Sequence, residues 1–248
     1  MASPTELLSQ WRADLAAWAI PGHITAAVAD SPWVLPRQVF ARRTDRLRLS
    51  PGGPSFQQAW EALDPPGAVL DVGSGAGAAC LPLAARTTFL TAIDQDEQML
   101  GLLAGRASAA GLAACLVLGS WPAVAGQVAA ADVVTCHHVV YNVPGLAPFL
   151  RALTSHAQRR VVLEMTAVHP LAALGLAAEH TTVTRPASAD YQSMAELVDV
   201  TRRRLCLPPE RAGEVETALL ELGVDPELPG DLGSSGREQV TIWWEGAA

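Results

Sequence analysis

The sequence predicts an α/β fold in which a mostly parallel sheet carries helices on both faces. Three observations lead there. From Ala68 onward, short apolar runs alternate with helix-length segments, the rhythm of repeated strand-helix units. The runs are apolar throughout, as strands covered on both faces should be. The first of them, VLDV, passes into Gly73, Gly75 and Gly77 just where a strand should hand over to a helix.

The elements follow in order. Residues 5–19 put Leu7, Leu8, Trp11, Leu15 and Trp18 at helical spacing, and Pro21-Gly22 stops the run. Residues 30–54, rich in proline and arginine, read as a loop with one short helix. A helix over about 55–63 ends at the DPPG break. Strands are expected at 68–72, 89–93, 115–118, 132–136 and 161–166, and helices at 76–86, 96–110 and 146–157. Beyond 166 the pattern loosens into a helix near 169–179, a strand candidate at 181–185 and helical segments near 190–205 and 209–222. ELPGDLGSSG is a loop, and the β-branched and aromatic EQVTIWW reads as a closing strand.

At 248 residues the chain suits one α/β domain with a small appendage, divided here into an N-terminal helical cap (1–60) and a cofactor-binding domain (61–248). Asp71, Arg86, Asp94 and Asp96 interrupt the most apolar region, so no membrane span is expected, and the N-terminus lacks the pattern of a secretory signal. Cys80, Cys115, Cys136 and Cys206 form no Cys-x-x-Cys pair, which fits a cytoplasmic protein with reduced thiols. His23, His156, His169 and His180 are scattered, and no metal site is expected.

The formal charge of -8 argues against a nucleic-acid partner. All 17 basic residues are arginine, which excludes Schiff-base lysine chemistry and a P-loop lysine. The arginines of 37–48 and Arg202, Arg203 and Arg204 read as solvated faces, with an anionic small substrate or RNA as the other options.

The glycine turn has three readings. It is a plain turn, a dinucleotide site, or a site for S-adenosylmethionine. Gly73, Gly75 and Ala78 satisfy G-x-G-x-x-A, with Asp94 about twenty residues on, as a nicotinamide cofactor would need. Asp71 favours the third reading. A carboxylate two residues before the first glycine is unhelpful to a pyrophosphate on a helix N-terminus but welcome to an ammonium and a sulfonium.

VLDVGSGAG and TAIDQDEQML resemble the first two motifs of the class I S-adenosylmethionine-dependent methyltransferases, a likeness running over residues 69–166. It implies a Rossmann-like methyltransferase fold with a seven-stranded sheet and an antiparallel last strand. It also implies that Asp71, Gly73, Ser74, Gly75 and Gly77 hold the methionine portion, that Asp94 takes the ribose hydroxyls, and that Gln95 and Met99 line the adenine side. Asp96 and Glu97 read instead as the first turn of the next helix. Ser120 stands where the family usually has an acidic residue, and Trp121 either stacks on the purine or packs. Cys136, His137 and His138, leaving the fourth strand, should face the transferring methyl or the acceptor.

Methyl transfer is chiefly alignment, and a base is optional. Where one is used, His137 and His138 are the candidates. Trp11, Trp18, Trp33 and Phe40 either line an acceptor pocket in the N-terminal cap or pack it down. The expected function is methyl transfer from S-adenosylmethionine to a small-molecule acceptor. The alternatives are a non-catalytic S-adenosylmethionine-binding protein, an NAD-dependent oxidoreductase and an RNA methyltransferase; the oligomeric state is open.

Overall fold

The computed structural model describes residues 3–29, 31–32, 36–166, 177–184, 191–230 and 238–247. The strands are β1 (Gly67–Val72), β2 (Thr87–Asp94), β3 (Ala114–Leu118), β4 (Ala131–His137), β5 (Ala157–Met165), β6 (Glu179–Thr184) and β7 (Glu238–Glu245). They form one seven-stranded sheet in the order β3-β2-β1-β4-β5-β7-β6. β1 to β5 pair in parallel, and β7 runs antiparallel to β5, with Glu164 opposite Thr241. Strand order reverses between β1 and β4, so a crevice opens beyond their carboxyl ends.

The helices are α1 (Pro4–Trp18), α2 (Gly22–Thr25), α3 (Arg37–Leu49), α4 (Pro54–Ala62), α5 (Glu97–Ala109), α6 (Leu146–Ser155), α7 (Met194–Arg204) and α8 (Ala212–Glu221). Successive strand residues point to opposite faces, and each face has its own core. Leu70, Val134, Cys136 and Leu163 share one core with Trp11 of α1 and with α6. Val69, Val133 and Val162 share the other with Ala59 of α4 and Leu103 of α5. α6 shows why its sequence folds as it does: Leu146, Phe149, Leu150 and Leu153 recur at the spacing of one helix face, and all four are buried. Trp11 anchors α1 by donating its indole N–H to the Val143 carbonyl at 2.8 Å.

Packing divides the chain into two compact units, one of 1–17, 44–183 and 239–248, the other of 18–43 and 184–238. The first holds almost the whole sheet. The second is built around Val39, Tyr191, Leu197, Val200, Val215 and Leu219. Within it, Arg42 donates one Nη2 to both carboxylate oxygens of Glu196, at 2.7 and 2.6 Å, and Ser193 caps α7 through the Glu196 amide at 3.2 Å.

Two sequence expectations give way. Residues 76–86 form no α-helix; after turns through 80 the chain makes a 3₁₀ helix over Leu81–Arg86. Pro82 brings no amide proton, and Leu83 bonds back only three residues, to the Cys80 carbonyl at 3.0 Å. The one helix expected within 30–54 is longer than the short one read there: α3 runs 13 residues, because no glycine or proline falls between Arg37 and Leu49 and arginine, glutamine and leucine are good helix formers. β5 also starts earlier than its apolar run. Its first turn of residues includes Arg159 and Arg160, which pair with Asp132 and Glu245, each at 2.9 Å. The helix expected near 169–179 lies mostly outside the described residues, as do Trp33 and much of ELPGDLGSSG. Among the described residues no helix is long and apolar enough to cross a membrane.

Leu153 is fully enclosed at the centre of the α6 face. Leu153→Ala is expected to lower the unfolding free energy by about 2–5 kcal/mol, read as a shift of the urea midpoint with an unchanged slope.

Candidate active site at the carboxyl ends of the strands

The end of β2 organises the loops around it. The Ile93 carbonyl accepts the amides of Gly73 at 2.8 Å and Ser74 at 3.0 Å, and the Asp94 carbonyl accepts that of Gly119 at 2.9 Å. The Asp94 side chain accepts the Gly75 amide on Oδ2 at 2.8 Å and the Asp96 amide on Oδ1 at 2.9 Å. Asp96 itself caps α5 by accepting the amides of Gln98 and Met99 at 2.9 and 3.3 Å, which is the helix-start role read for it above.

Gly73 has φ +71°, and a Cβ there would stand 2.2 Å from Cγ2 of Val139. Only glycine fits. That close approach also shows that the residues leaving β4 lie directly against the turn. Gly75 and Gly77 have positive φ as well, and the Met99 methyl group stands over Gly75.

Asp71 sits in register with Thr135 and is 1% exposed. Thr135 Oγ1 donates to its Oδ1 at 2.8 Å. Burial pushes the Asp71 carboxyl up to about 6, with the charge of Asp94 adding, while Cys80 and Thr135 hold it down. Burial first, then the Asp71 charge, pushes the Cys80 and Cys136 thiols well above their ordinary value, so neither is a nucleophile at neutral pH. Asp71 Oδ2 and Ser74 Oγ are buried with no hydrogen bond of normal geometry. The turn thus carries, beneath and within it, a negative group and a hydroxyl that fit the cationic amino-acid end of S-adenosylmethionine.

His138 follows β4 with φ +59°, a conformation rare for a non-glycine residue. It is held there by one neighbour. The His138 amide donates to the Glu164 carbonyl at 2.8 Å, and its ring Nε2 meets Glu164 Oε1 at 3.0 Å. The Tyr141 ring lies near parallel to the imidazole, at 6.4 Å between centroids, and its hydroxyl meets Thr166 Oγ1 at 2.8 Å. His137 ends β4, half-buried, in register with Glu164.

The remaining sequence candidates fall in different places. Gln95 and Ser120 are exposed. Cys136 is enclosed in the core on the α6 side. Trp121 is packed rather than open: its indole N–H donates to the Phe149 carbonyl at 3.3 Å, and the ring meets His156 edge-on. Glu164, Ser55 and Thr135 were not singled out by sequence. The signal for Glu164 was a lone charge inside the apolar run VVLEM, which a strand covered on both faces does not tolerate without partners.

The parallel sheet with the glycine turn at its switch point is the architecture of the doubly wound α/β folds. Residues 69–159 match the sequence model of the methyltransferase domain. No curated protein matches the chain by sequence. Among solved structures it is similar to the YcgJ protein of Bacillus subtilis, at 14% identity and TM-score 0.51 over 78% of this chain and 98% of that one. It is also similar to precorrin-6y C5,15-methyltransferase of Geobacter metallireducens, at 12% identity and TM-score 0.49 over 77% and 87% of the two chains. A third likeness, at 14% identity and TM-score 0.48 over 87% and 97%, is to precorrin 8w decarboxylase of Methanobacterium thermoautotrophicum. At such identities the likeness is one of fold. Over residues 69–159 the chain is thus similar to a methyltransferase domain.

Asp71 makes the fold itself pH-dependent. Its folded value, about 6, lies above the ordinary 3.8, so the folded chain holds this proton more tightly than the unfolded one. The stability contribution is therefore greatest in acid and is lost as pH rises from about 4 through about 6, by roughly 3 kcal/mol. Asp71→Asn keeps an acceptor for Thr135 and removes the ionisation. Urea unfolding across this pH range should show the variant gaining on the wild type by about that amount, and a pH-independent difference would contradict the assignment.

Proposed function

We propose that this chain is an S-adenosylmethionine-dependent methyltransferase acting on a small molecule, and that residues at the ends of β1, β2 and β4 hold the donor and receive the proton. The observation that carries the reading is the Asp94 carboxylate, which is fixed by two amides at the lip of the turn. A carboxylate has about four acceptor sites. Each oxygen of Asp94 therefore keeps one to offer a sugar diol.

When bound, S-adenosylmethionine supplies an activated sulfonium methyl, which leaves alignment and proton handling to the protein. Gly75 and Gly77 let the turn take its positive-φ course, with Met99 packed over Gly75 and Leu81 and Leu103 filling the space a side chain at Gly77 would need. Ser74 serves the amino-acid end by its hydroxyl, and Asp71, enclosed below the turn, serves it by its field in a low-dielectric wall. Met99 and Gln95 take the adenine side, and Ser120 borders it from the turn after β3. Cys136 contributes shape from within the core. His138, against the glycine turn through Val139, takes a proton from the acceptor, and His137 is the second candidate.

A small acceptor is favoured over RNA because basic side chains are spent on the fold. Arg106 pairs with Asp45, Arg159 with Asp132, Arg160 with Glu245, and Arg202 and Arg203 with Asp199. Together with the charge of -8, this leaves little for a phosphate backbone.

Calorimetry should show the chain binding S-adenosylhomocysteine and giving no heat with NAD. Asp94→Ala should weaken that binding at least tenfold, since hydrogen bonds to a charged acceptor are worth about 1.5–3 kcal/mol each. Uptake of NAD without S-adenosylhomocysteine would reverse the cofactor assignment. Labelled methyl appearing in RNA but in no small-molecule extract would reverse the acceptor assignment.

A further inference from the structure

A polar line crosses the α4-facing side of the sheet, where the strands are otherwise apolar. It ends in Ser55, Glu164 and His138. Ser55, in the first turn of α4 and buried, donates its hydroxyl to Glu164 Oε2. Glu164, on β5, is 5% exposed and turns its other oxygen to His138 Nε2 at 3.0 Å. His138 alone of the three reaches solvent, its side chain 31% exposed.

We propose that Glu164 is a positioning residue for His138, fixing the imidazole as the Nε2–H tautomer and leaving Nδ1 to accept a proton from the methyl acceptor. The proposal rests on the reading of His138 as the proton-taking residue and extends it to the groups that make it one. A carboxylate is an acceptor only, so the nitrogen facing it must carry the hydrogen. Ser55 fills the other oxygen with a donor of its own, which holds the carboxylate in one rotamer. The main chain locks the ring from the other end: the same Glu164 whose side chain meets Nε2 receives the His138 amide on its carbonyl, and both bonds hold a residue that lies in the left-handed region. Nδ1 has no protein partner among the described residues.

The arrangement narrows the acceptor to one whose attacking atom arrives bearing a proton, a hydroxyl above all. That proton passes to Nδ1 while the electron pair of the broken X–H bond becomes the new X–C bond, and the electrons of the carbon–sulfur bond stay on sulfur. The imidazolium so formed keeps its Nε2–H on the Glu164 carboxylate, where the charge is balanced.

Nitrogen-15 NMR of the full chain with labelled histidine tests this directly, near pH 8.5, where a free imidazole is neutral. The His138 signals are identified by their loss in His138→Asn. The wild type should show a protonated Nε2 and an unprotonated Nδ1. Glu164→Gln, whose amide can donate to the ring, should shift the population toward the Nδ1–H tautomer, and Glu164→Asp should restore the wild-type pattern. A wild-type His138 protonated at Nδ1, or a tautomer unmoved by Glu164→Gln, overturns the proposal. Should Glu164→Gln fail to fold, the wild-type spectrum still decides, and Ser55→Ala provides the second variant, with an expected mixture of tautomers. S-adenosylhomocysteine binding keeps the two readings apart. Glu164→Gln should bind it within about twofold of the wild type, and its absence from the wild type would count against the cofactor site, not against the tautomer.

Discussion

The last two residues of β2 hold the upper surface of the sheet together. Through two carbonyls and one carboxylate, Ile93 and Asp94 accept five main-chain amides from three segments: the glycine turn, the start of α5 and the turn after β3. None of those amides belongs to a regular ladder or helix, so without these acceptors each would need water or a ligand. A short stretch of one strand thereby sets the relative placement of everything a cofactor would touch. On the proposed reading an acidic side chain belongs at that point, since a neutral residue would leave no charge facing a sugar.

The same face of the sheet carries a cost. Strands covered on both sides want apolar residues, yet Asp71, Thr135 and Glu164 are buried there. They are tolerable because they are arranged in pairs: Thr135 serves Asp71, and Ser55 and His138 serve Glu164. The pairing is incomplete at Asp71 Oδ2 and Ser74 Oγ, both at the glycine turn.

What the sequence could reveal followed from locality. The glycine turn, Asp94 and the five parallel strands are written in contiguous residues, and the structure places them at one crevice. The helix expected over 76–86 failed on a single residue, Pro82, whose effect on hydrogen bonding outweighed a favourable alanine-rich stretch. The length of α3 was hidden by the prolines around it. The contact of Ser55 with Glu164 spans 109 positions, and no periodicity encodes it. The division into units was likewise illegible, since each is assembled from separated stretches of chain and composition does not change at their borders.

β7 lies between β5 and β6 in space, yet it is made after both. On the ribosome, β5 must therefore wait with one flank unpaired from the moment Met165 emerges until Glu238 follows. At about 5–20 residues per second that interval lasts several seconds, during which a bare, apolar ladder is open to other extended polypeptides. A nascent chain that stalls in this window is the form of the protein with most need of a chaperone.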